Sequence, residues 1–305
     1  VITARRAETL KCPVYDENFA RLEIEEAPKV SSLKAIADPS LDLRNPLKGP
    51  FNVIREKPLH IENEALLLLK SAQLLPAAVI SRVSGGANFA SKNNLTYVQT
   101  EQLIELAISS RGIADAITAA VPTARAEDAQ FHIFRPNISG EEHYVMEIGK
   151  INREQPTLVR IHSACFTGDV LGSLKCDCGP QLHFATKMIN NQGSGLLIYL
   201  NQEGRGIGLA NKIRAYSLQN QGFDTVEANH RLGFEDDERD FQLGAAILKE
   251  MRITDIKLIT NNPSKLSMMN KYDINVTERI PLRVGQNKNN LRYLETKAKK
   301  SGHLM

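Results

Sequence analysis

TLVRIHSACFTGDVLGSLKCDCGPQLHFATKMINNQGSGLLIYL, residues 157 to 200, is the stretch whose reading decides the fold. Residues 157 to 163 alternate apolar and polar side chains, as a half-buried strand does. Pro180 to Gln192 carries Pro in its first turn, Leu182, Ala185 and Ile189 on one helical face, and Gly193 at the C-cap. Leu196 to Leu200 is short and continuously apolar, a buried strand. Upstream, HYVMEIGK (143 to 150) also alternates and reads as a strand paired with 157 to 163. Downstream, Leu209 to Gln221 reads as a helix closed by Gly222, Asp240 to Met251 as another, and Ile256 to Thr260 as a strand. Strands alternating with helices predict an α/β fold, a mixed sheet with flanking helices, over residues 129 to 305.

The N-terminal region reads as helix-rich. Glu62 to Leu75 has Leu66, Leu67, Leu69 and Leu74 to bury and is stopped by Pro76. Thr100 to Ala120, rich in Ile, Leu and Ala, reads as a second helical run, with Gly112 inside and Pro122 just beyond. Pro39, Pro46 and Pro50 with Asn45 and Gly49 mark a loop. Val121 to Asp128 is the boundary candidate, so the expected division is 1 to 128 and 129 to 305, in keeping with the two-domain expectation for 305 residues.

Composition narrows the function classes. Hydrophobic residues are 42% and charged residues 24%, near the globular average, which excludes a largely disordered or fibrous chain. In the Leu-rich region Lys70 and Arg82 bracket the apolar stretch Ser71 to Ser81, far shorter than a membrane helix needs. No secretion signal opens the chain at Val1, and the expected location is cytoplasmic. A net charge of +3, from 38 Lys and Arg against 35 Asp and Glu, gives no reason to expect a nucleic-acid partner. Of four cysteines, Cys165, Cys176 and Cys178 lie close together and Cys12 stands apart.

A tight cysteine cluster in a chain of this kind points to metal or redox chemistry. In an extended segment Cys176 and Cys178 present their sulfurs to one face while Asp177 faces away. With Cys165 they offer zinc three thiolates and leave a fourth position for water, the pattern of a catalytic site. A structural site completed by His162, His183 or Asp169, or buried free thiols, remain the alternatives. In NQEGRGIGLANK, Gly204, Gly206 and Gly208 allow close backbone approach and Arg205 can clamp an oxyanion ahead of a helix. A tight turn with an exposed Arg is the plainer reading, and Leu209 breaks the dinucleotide fingerprint. In FEDDERDF (234 to 241) at least one of Asp236 and Asp237 reads as a helix cap, while Arg239 could serve as a phosphate fork beside a proton acceptor. Tyr216 sits on the helix after the glycine loop, where a core role is the plainer alternative to catalysis. Thr260 and Lys265 flank a strand end, where anionic ligands of α/β sheets often bind, unless Lys265 is simply solvated.

VRIHSACFTGDVLGSLKCDCG, YLNQEGRGIGLANKIRAYSLQ, DTVEANHRLGFEDDERDF, LITNNPSKL and the ending NNLRYLETKAKKSGHLM together resemble GTP cyclohydrolase II, in order and at family spacing from about His132 to Met305. The resemblance implies an α/β enzyme, typically a homodimer, that starts riboflavin biosynthesis. It would convert GTP and water to 2,5-diamino-6-(5-phosphoribosylamino)pyrimidin-4-one, formate and pyrophosphate, using one Zn²⁺ per subunit and Mg²⁺ with the substrate phosphates. It implies zinc ligands at Cys165, Cys176 and Cys178, and catalytic residues at Tyr216, Asp237 and Arg239. It implies nucleotide binding by Arg160, Ile161, His162, Ser163, Ala164, Gln181, Glu203, Gly204, Arg205, Thr225, Thr260 and Lys265. Ala164 stands where the family usually has Glu, and Gly206 where some members have Asn. Arg239's counterpart has been given a nucleophile's role; a guanidinium is almost always protonated, which favours an electrostatic clamp. Residues 1 to 128 resemble the noncatalytic extension of some relatives, a decayed remnant of a synthase, and no second activity is expected. The alternatives are a pterin-forming cyclohydrolase, which releases no pyrophosphate, and a noncatalytic zinc-stabilised nucleotide-binding or regulatory protein.

Overall fold

The computed structural model describes residues 1–24, 28–43, 46, 49–102, 112–136, 141–291, 294–295, 298 and 302. Asn45, residues 103–111 and much of the stretch NNLRYLETKAKKSGHLM therefore lie outside the described residues. The chain divides into two units, Val1–Ala107 with Ile207–Glu238, and Ile108–Gly206 with Arg239–Met305.

In the first unit β1 (Ile2–Thr3) pairs antiparallel with β2 (Phe19–Ala20). This unit also holds the helices Ala4–Thr9, Val30–Ala37, His60–Ser71 and Gly86–Lys92, with Leu209–Asn220 and Thr225–Leu232 from the later segment. The last of these starts in a full capping box: Asp224 accepts the Val226 and Glu227 amides while Glu227 accepts that of Asp224.

The second unit is built on one seven-stranded mixed sheet: β3 (Ile113–Ala120), β4 (Ala129–Pro136), β5 (His143–Ile148), β6 (Thr157–Ser163), β7 (Gly195–Leu200), β8 (Asp255–Ile259) and β9 (Asn275–Ile280). Their order is β3-β4-β5-β7-β6-β8-β9, antiparallel from β3 to β7 and parallel from β7 to β9. The expected mixed sheet with flanking helices is thus present. Strand alternation sorts its two faces. Val159, Ile161, Ile198 and Leu200 share a core with Ala245 and Leu248 of the helix Gln242–Glu250. Leu158 and Leu197 pack with Ala185 and Ile189 of the helix Cys178–Gln192. Both strands are covered on both faces; β7 accordingly reads as a nearly continuous apolar run, whereas β6 keeps the polar Arg160 and His162 buried among its apolar residues.

Two expectations need correction. Segments 143–150 and 157–163 do form strands, but they are not partners, because β7 enters between them. Alternation identifies a strand without naming its neighbour, and the helix Cys178–Gln192 returns the chain parallel to β6. The helical run to Ala120 fails over Ile113–Ala120, which pairs with β4 from Ile113 opposite Pro136 to Ala120 opposite Gln130. Here ladder bonds to β4 override the helix propensity of alanine.

No helix among the described residues is long and apolar enough to cross a membrane.

Candidate metal centre and anion site

Three features of the second unit bring the cysteines together. Cys165 follows β6 directly and precedes the one-turn helix Phe166–Asp169, while Cys178 opens the helix Cys178–Gln192. Between them Asp177 adopts φ −104°, ψ 8°, so Cys176 and Cys178 are turned toward each other by a bend rather than by the extended segment expected. Asp177 accordingly does not face solvent; it is buried and accepts a hydrogen bond from Gln181. The three sulfurs lie within 4.8 Å of one another, and Cys165 Sγ is 3.7 Å from Cys176 Sγ. Thiolates around a tetrahedral zinc at about 2.3 Å stand roughly 3.8 Å apart, so the spacing suits that ion. Gly168 lies beneath the cluster, and a Cβ there would be 2.7 Å from Cys176 Sγ and 3.0 Å from Cys165 Sγ. All four cysteines are free thiols. The hydrogen bond with Cys165 pushes the Cys176 thiol up to about 11, a cost of deprotonation that a bound dication would offset. This is the only such cluster among the described residues, and neither His162, His183 nor Asp169 joins it.

Asp169 holds the loop instead. Its carboxylate accepts the Cys165 amide at 3.0 Å and the Tyr199 hydroxyl at 3.0 Å, and it meets His162 Nε2 at 3.0 Å. Burial, reinforced by this carboxylate, raises the Tyr199 phenol well above its ordinary value, so it remains a donor. Burial also lowers His162, against the opposing pull of Asp169. Sequence reasoning gave Asp169 only as an alternative ligand and missed Tyr199 and Gly168. The Gly in T-G-D was the available signal for a close approach.

A second cluster of charge lies at the C-terminal ends of the parallel strands. Arg160 on β6 is buried, donating to Ile259 O at 2.9 Å and Gln181 Oε1 at 2.7 Å, while its Nε is buried without a partner. Burial lowers its guanidinium to about 10, leaving it a cation at neutral pH. On the opposite face, Lys265 is buried rather than solvated, and donates to Ile161 O at 2.8 Å. Its Nζ stands 5.1 Å from the centre of the Phe241 ring, and the Arg239 guanidinium stands 4.9 Å from the same centre. Arg239 also reaches Ser163 Oγ at 3.4 Å. Asn262 accepts the Ser264 amide, caps the helix Pro263–Lys271 and donates its own amide to Thr260 Oγ1 at 3.0 Å. Ile161 packs beneath the helix Gln242–Glu250, and Ala164 is buried with its amide on Leu200 O.

The glycine loop leaves β7 in a left-handed run: Gly204 has φ 65°, Arg205 φ 65° and Gly206 φ 91°. For Arg205 that conformation is unfavourable without compensation, and the loop is held by the Gly206 amide, which donates to Gln202 O at 3.3 Å. Glu203 accepts the Phe166 amide at 2.6 Å and the Gly204 amide at 2.9 Å, tying this loop to the cysteine loop.

Tyr216, Thr225 and Asp237 belong to the first unit. Tyr216 is half-buried on the helix Leu209–Asn220, Thr225 opens the next helix and Asp237 is exposed in the loop after it. Neither Asp236 nor Asp237 caps the helix Gln242–Glu250, whose N-cap is Phe241; Asp240, just before it, accepts the Gln242 amide, and Asp236 pairs with His230 at 2.5 Å.

A family model described as GTP cyclohydrolase II matches residues 114–281. The chain is 38% identical to a GTP cyclohydrolase-2 of Azospirillum brasilense, over 99% of this chain and 80% of that protein. It is 38% identical to a riboflavin biosynthesis protein RibBA of Cytophaga hutchinsonii, over 92% and 73% of the two chains. A RibBA of Bacillus mycoides is 53% identical over 54% of this chain and 42% of that one. Against a crystal structure of RibBX, a two-domain 3,4-dihydroxy-2-butanone 4-phosphate synthase from A. baumannii, the TM-score is 0.31 at 17% identity, covering 68% of this chain and 51% of that one, too low to bear on the fold. With a family match spanning more than half the chain and relatives aligned along nearly all of it, the chain belongs to the GTP cyclohydrolase II family.

Proposed function

We propose that this protein hydrolyses GTP to 2,5-diamino-6-(5-phosphoribosylamino)pyrimidin-4-one, formate and pyrophosphate, as a cytoplasmic homodimer with one Zn²⁺ per subunit. The observation that carries the reading is the trio of thiols at tetrahedral spacing, with no protein fourth ligand among the described residues, in a chain of this family. Zinc held by Cys165, Cys176 and Cys178 would supply the Lewis acid that makes water nucleophilic near neutral pH.

The remaining chemistry falls to the chain's own side chains. Arg160, Arg205, Arg239 and Lys265 neutralise the triphosphate together with Mg²⁺, and Arg239 acts as an electrostatic clamp rather than a nucleophile. The Phe241 ring supports that assignment, because its face holds two of these cations within 5.1 Å of its centre. Thr225 and Thr260 contribute hydroxyls to nucleotide binding, Gln181 its amide, and residues Ile161 to Ala164 line the site. Glu203, with Gly204, presents an acceptor to the guanine N1 and N2 hydrogens. Asp237 accepts and returns protons during the two hydrations of the imidazole carbon, and Tyr216 hydrogen-bonds the water or the opening ring. Residues 1 to 128 contribute no second activity in this reading.

The test is incubation with GTP, Zn²⁺ and Mg²⁺ while formate and pyrophosphate are measured, beside Cys176→Ser. Formate and pyrophosphate from the wild type and neither from the variant is the expected result. A wild type releasing neither product overturns the reading, and retention of the ribose carbons in a pterin without pyrophosphate favours the other cyclohydrolase chemistry.

A further inference from the structure

The segment Ile207–Glu238, which carries Tyr216, Thr225 and Asp237, clusters with the N-terminal residues rather than with the sheet. So short a segment cannot bury enough surface to be stable alone. Its own core, Ile207, Ala215, Leu218, Ala228, Leu232 and Phe234, is supplemented by Leu75. The polar contacts are specific as well. Fully buried Asn211 donates to Gln73 O at 2.9 Å. Gly208 and Gly233 both have positive φ, and a Cβ on them would meet Gln73 at 2.4 Å and Thr3 at 2.8 Å respectively. Buried Arg6 grips Asp42 through two bonds of 2.7 and 3.0 Å, and Asp42 in turn accepts from Arg231 at 3.3 Å.

The loop after Phe234 holds four consecutive carboxylates, Glu235 to Glu238, whose mutual repulsion would splay it. Three of them meet a cationic partner or histidine within this unit: Arg5 on Glu235 at 2.9 Å, His230 on Asp236 at 2.5 Å and Lys70 on Glu238 at 2.5 Å. Glu238 Oε1 also accepts the Glu235 amide at 2.9 Å, which closes the turn across Asp236 and Asp237. The Lys70 ammonium therefore steadies a carboxylate that closes the turn of the loop, and it stands 5.9 Å from the centre of the Phe234 ring at the loop's start.

We propose that the N-terminal region is the scaffold of this segment, with Lys70 as the positioning residue for the loop that carries Asp237. The proposal deepens the function proposed above and rests on it for the role of Asp237. It gives the extension a job that requires no active site of its own.

The test compares full-length wild type, Lys70→Met, Lys70→Arg, Glu238→Gln and the double variant Lys70→Met/Glu238→Gln. Hydrogen exchange at the Glu235 amide is read first, then GTP turnover with bound zinc quantified. Lys70→Met is expected to speed Glu235 exchange about tenfold and to lower kcat about tenfold while KM for GTP shifts less than threefold. Lys70→Arg should recover most of both losses, and the double variant should be no worse than the more impaired of the two single variants. Zinc content should stay at the wild-type level throughout. Unchanged exchange in Lys70→Met overturns the proposal, as does an equal loss in Lys70→Arg. If wild type releases no formate from GTP, the proposed function falls, and the exchange measurement alone still decides whether Lys70 holds the loop.

Discussion

The sharpest perturbation of the candidate metal centre is one methyl group, Gly168→Ala. The added Cβ would lie 2.7 Å from Cys176 Sγ, 3.0 Å from Cys165 Sγ and 3.0 Å from Cys178 Cβ. Comfortable non-bonded separations start near 3.5 Å, so the nearest sulfur must retreat by about 0.8 Å. Metal sites tolerate errors of roughly 0.2 Å in ligand distance, and the displacement is several times that. The helix Phe166–Asp169 cannot simply slide away, because Asp169 is bonded to Cys165, Tyr199 and His162, and Gly179 sits against Gly168 O. Overpacking of this sort costs about 1–3 kcal/mol, or roughly 5- to 150-fold in an equilibrium constant. Zinc affinity should therefore fall about 10- to 100-fold, measured by competition with a chromophoric chelator under reducing conditions. The metal-free variant should melt close to the metal-free wild type, since three unligated thiols can each shift a little. Wild-type zinc affinity in Gly168→Ala would refute the reasoning and with it the assignment of these sulfurs as a preformed ligand set.

Three further outcomes are expected. Asp169→Ala strips the partner from three donors, and at about 1–3 kcal/mol for a buried unsatisfied group it should lower the urea midpoint and weaken zinc binding together, the two being read on one sample. Lys265→Met removes a buried cation beside Phe241 and should raise KM for GTP at least about tenfold in a steady-state pyrophosphate assay; an unchanged KM would remove Lys265 from the phosphate site. His143 is buried, accepts the Asn201 amide on Nδ1, and is lowered by burial to about 4. Because the unfolded chain takes up this proton first, the stability His143 confers is complete above about pH 6.5 and lost as pH falls toward 4, at most about 3 kcal/mol. Urea midpoints from pH 7 to 4 should fall less steeply in His143→Asn than in wild type. His132, raised chiefly by its bond to Glu147, contributes with the opposite sign, its stabilisation present at low pH and lost as pH rises through its elevated value, so the paired variant comparison is the needed control.

Much of the sheet was legible because β6 alternates, β7 is a short apolar run and the helix between them ends in Gly193 at φ 94°. The cysteine trio was legible for a different reason: thiols carry chemistry whatever backbone presents them, so a wrong local geometry at Asp177 did not hide that the three sulfurs cluster. What failed was non-local. Ile113–Ala120 has a composition that suits a helix, and only its pairing with β4 makes it a strand. Asp236 and Asp237 looked like caps because acids before a helix usually are, yet the helix starts only at Gln242, with Phe241 at its N-cap and Asp240 on the Gln242 amide. A solvated Lys265 was the alternative to an anion-binding one, and only the strand order reveals its acceptor, Ile161 O, so far away in sequence.

That strand order also explains how distant stretches come to serve one chemistry. β7, β6 and β8 run parallel and adjacent, so their C-terminal ends share one edge of the sheet. Ser163 with Cys165, Glu203 with Arg205, and Thr260 with Lys265 each follow one of those ends within a few residues. Alternation along β6 then assigns neighbours to opposite faces: Arg160 and His162 turn toward Gln181 and Asp169, while Ile161 packs against Gly244 on the other side and Ser163 meets Arg239. A register slip of one residue in β6 would exchange these sets and put the buried cation against the apolar core. Ala164 lies just past this alternation, its amide held by Leu200 O and its side chain too short to carry charge. Introducing a carboxylate at this buried position with Ala164→Glu alters the charge at this edge of the sheet. If the triphosphate is bound by the cations at this edge, that variant should weaken GTP binding more at low than at high ionic strength, and equal weakening at both would place the triphosphate elsewhere.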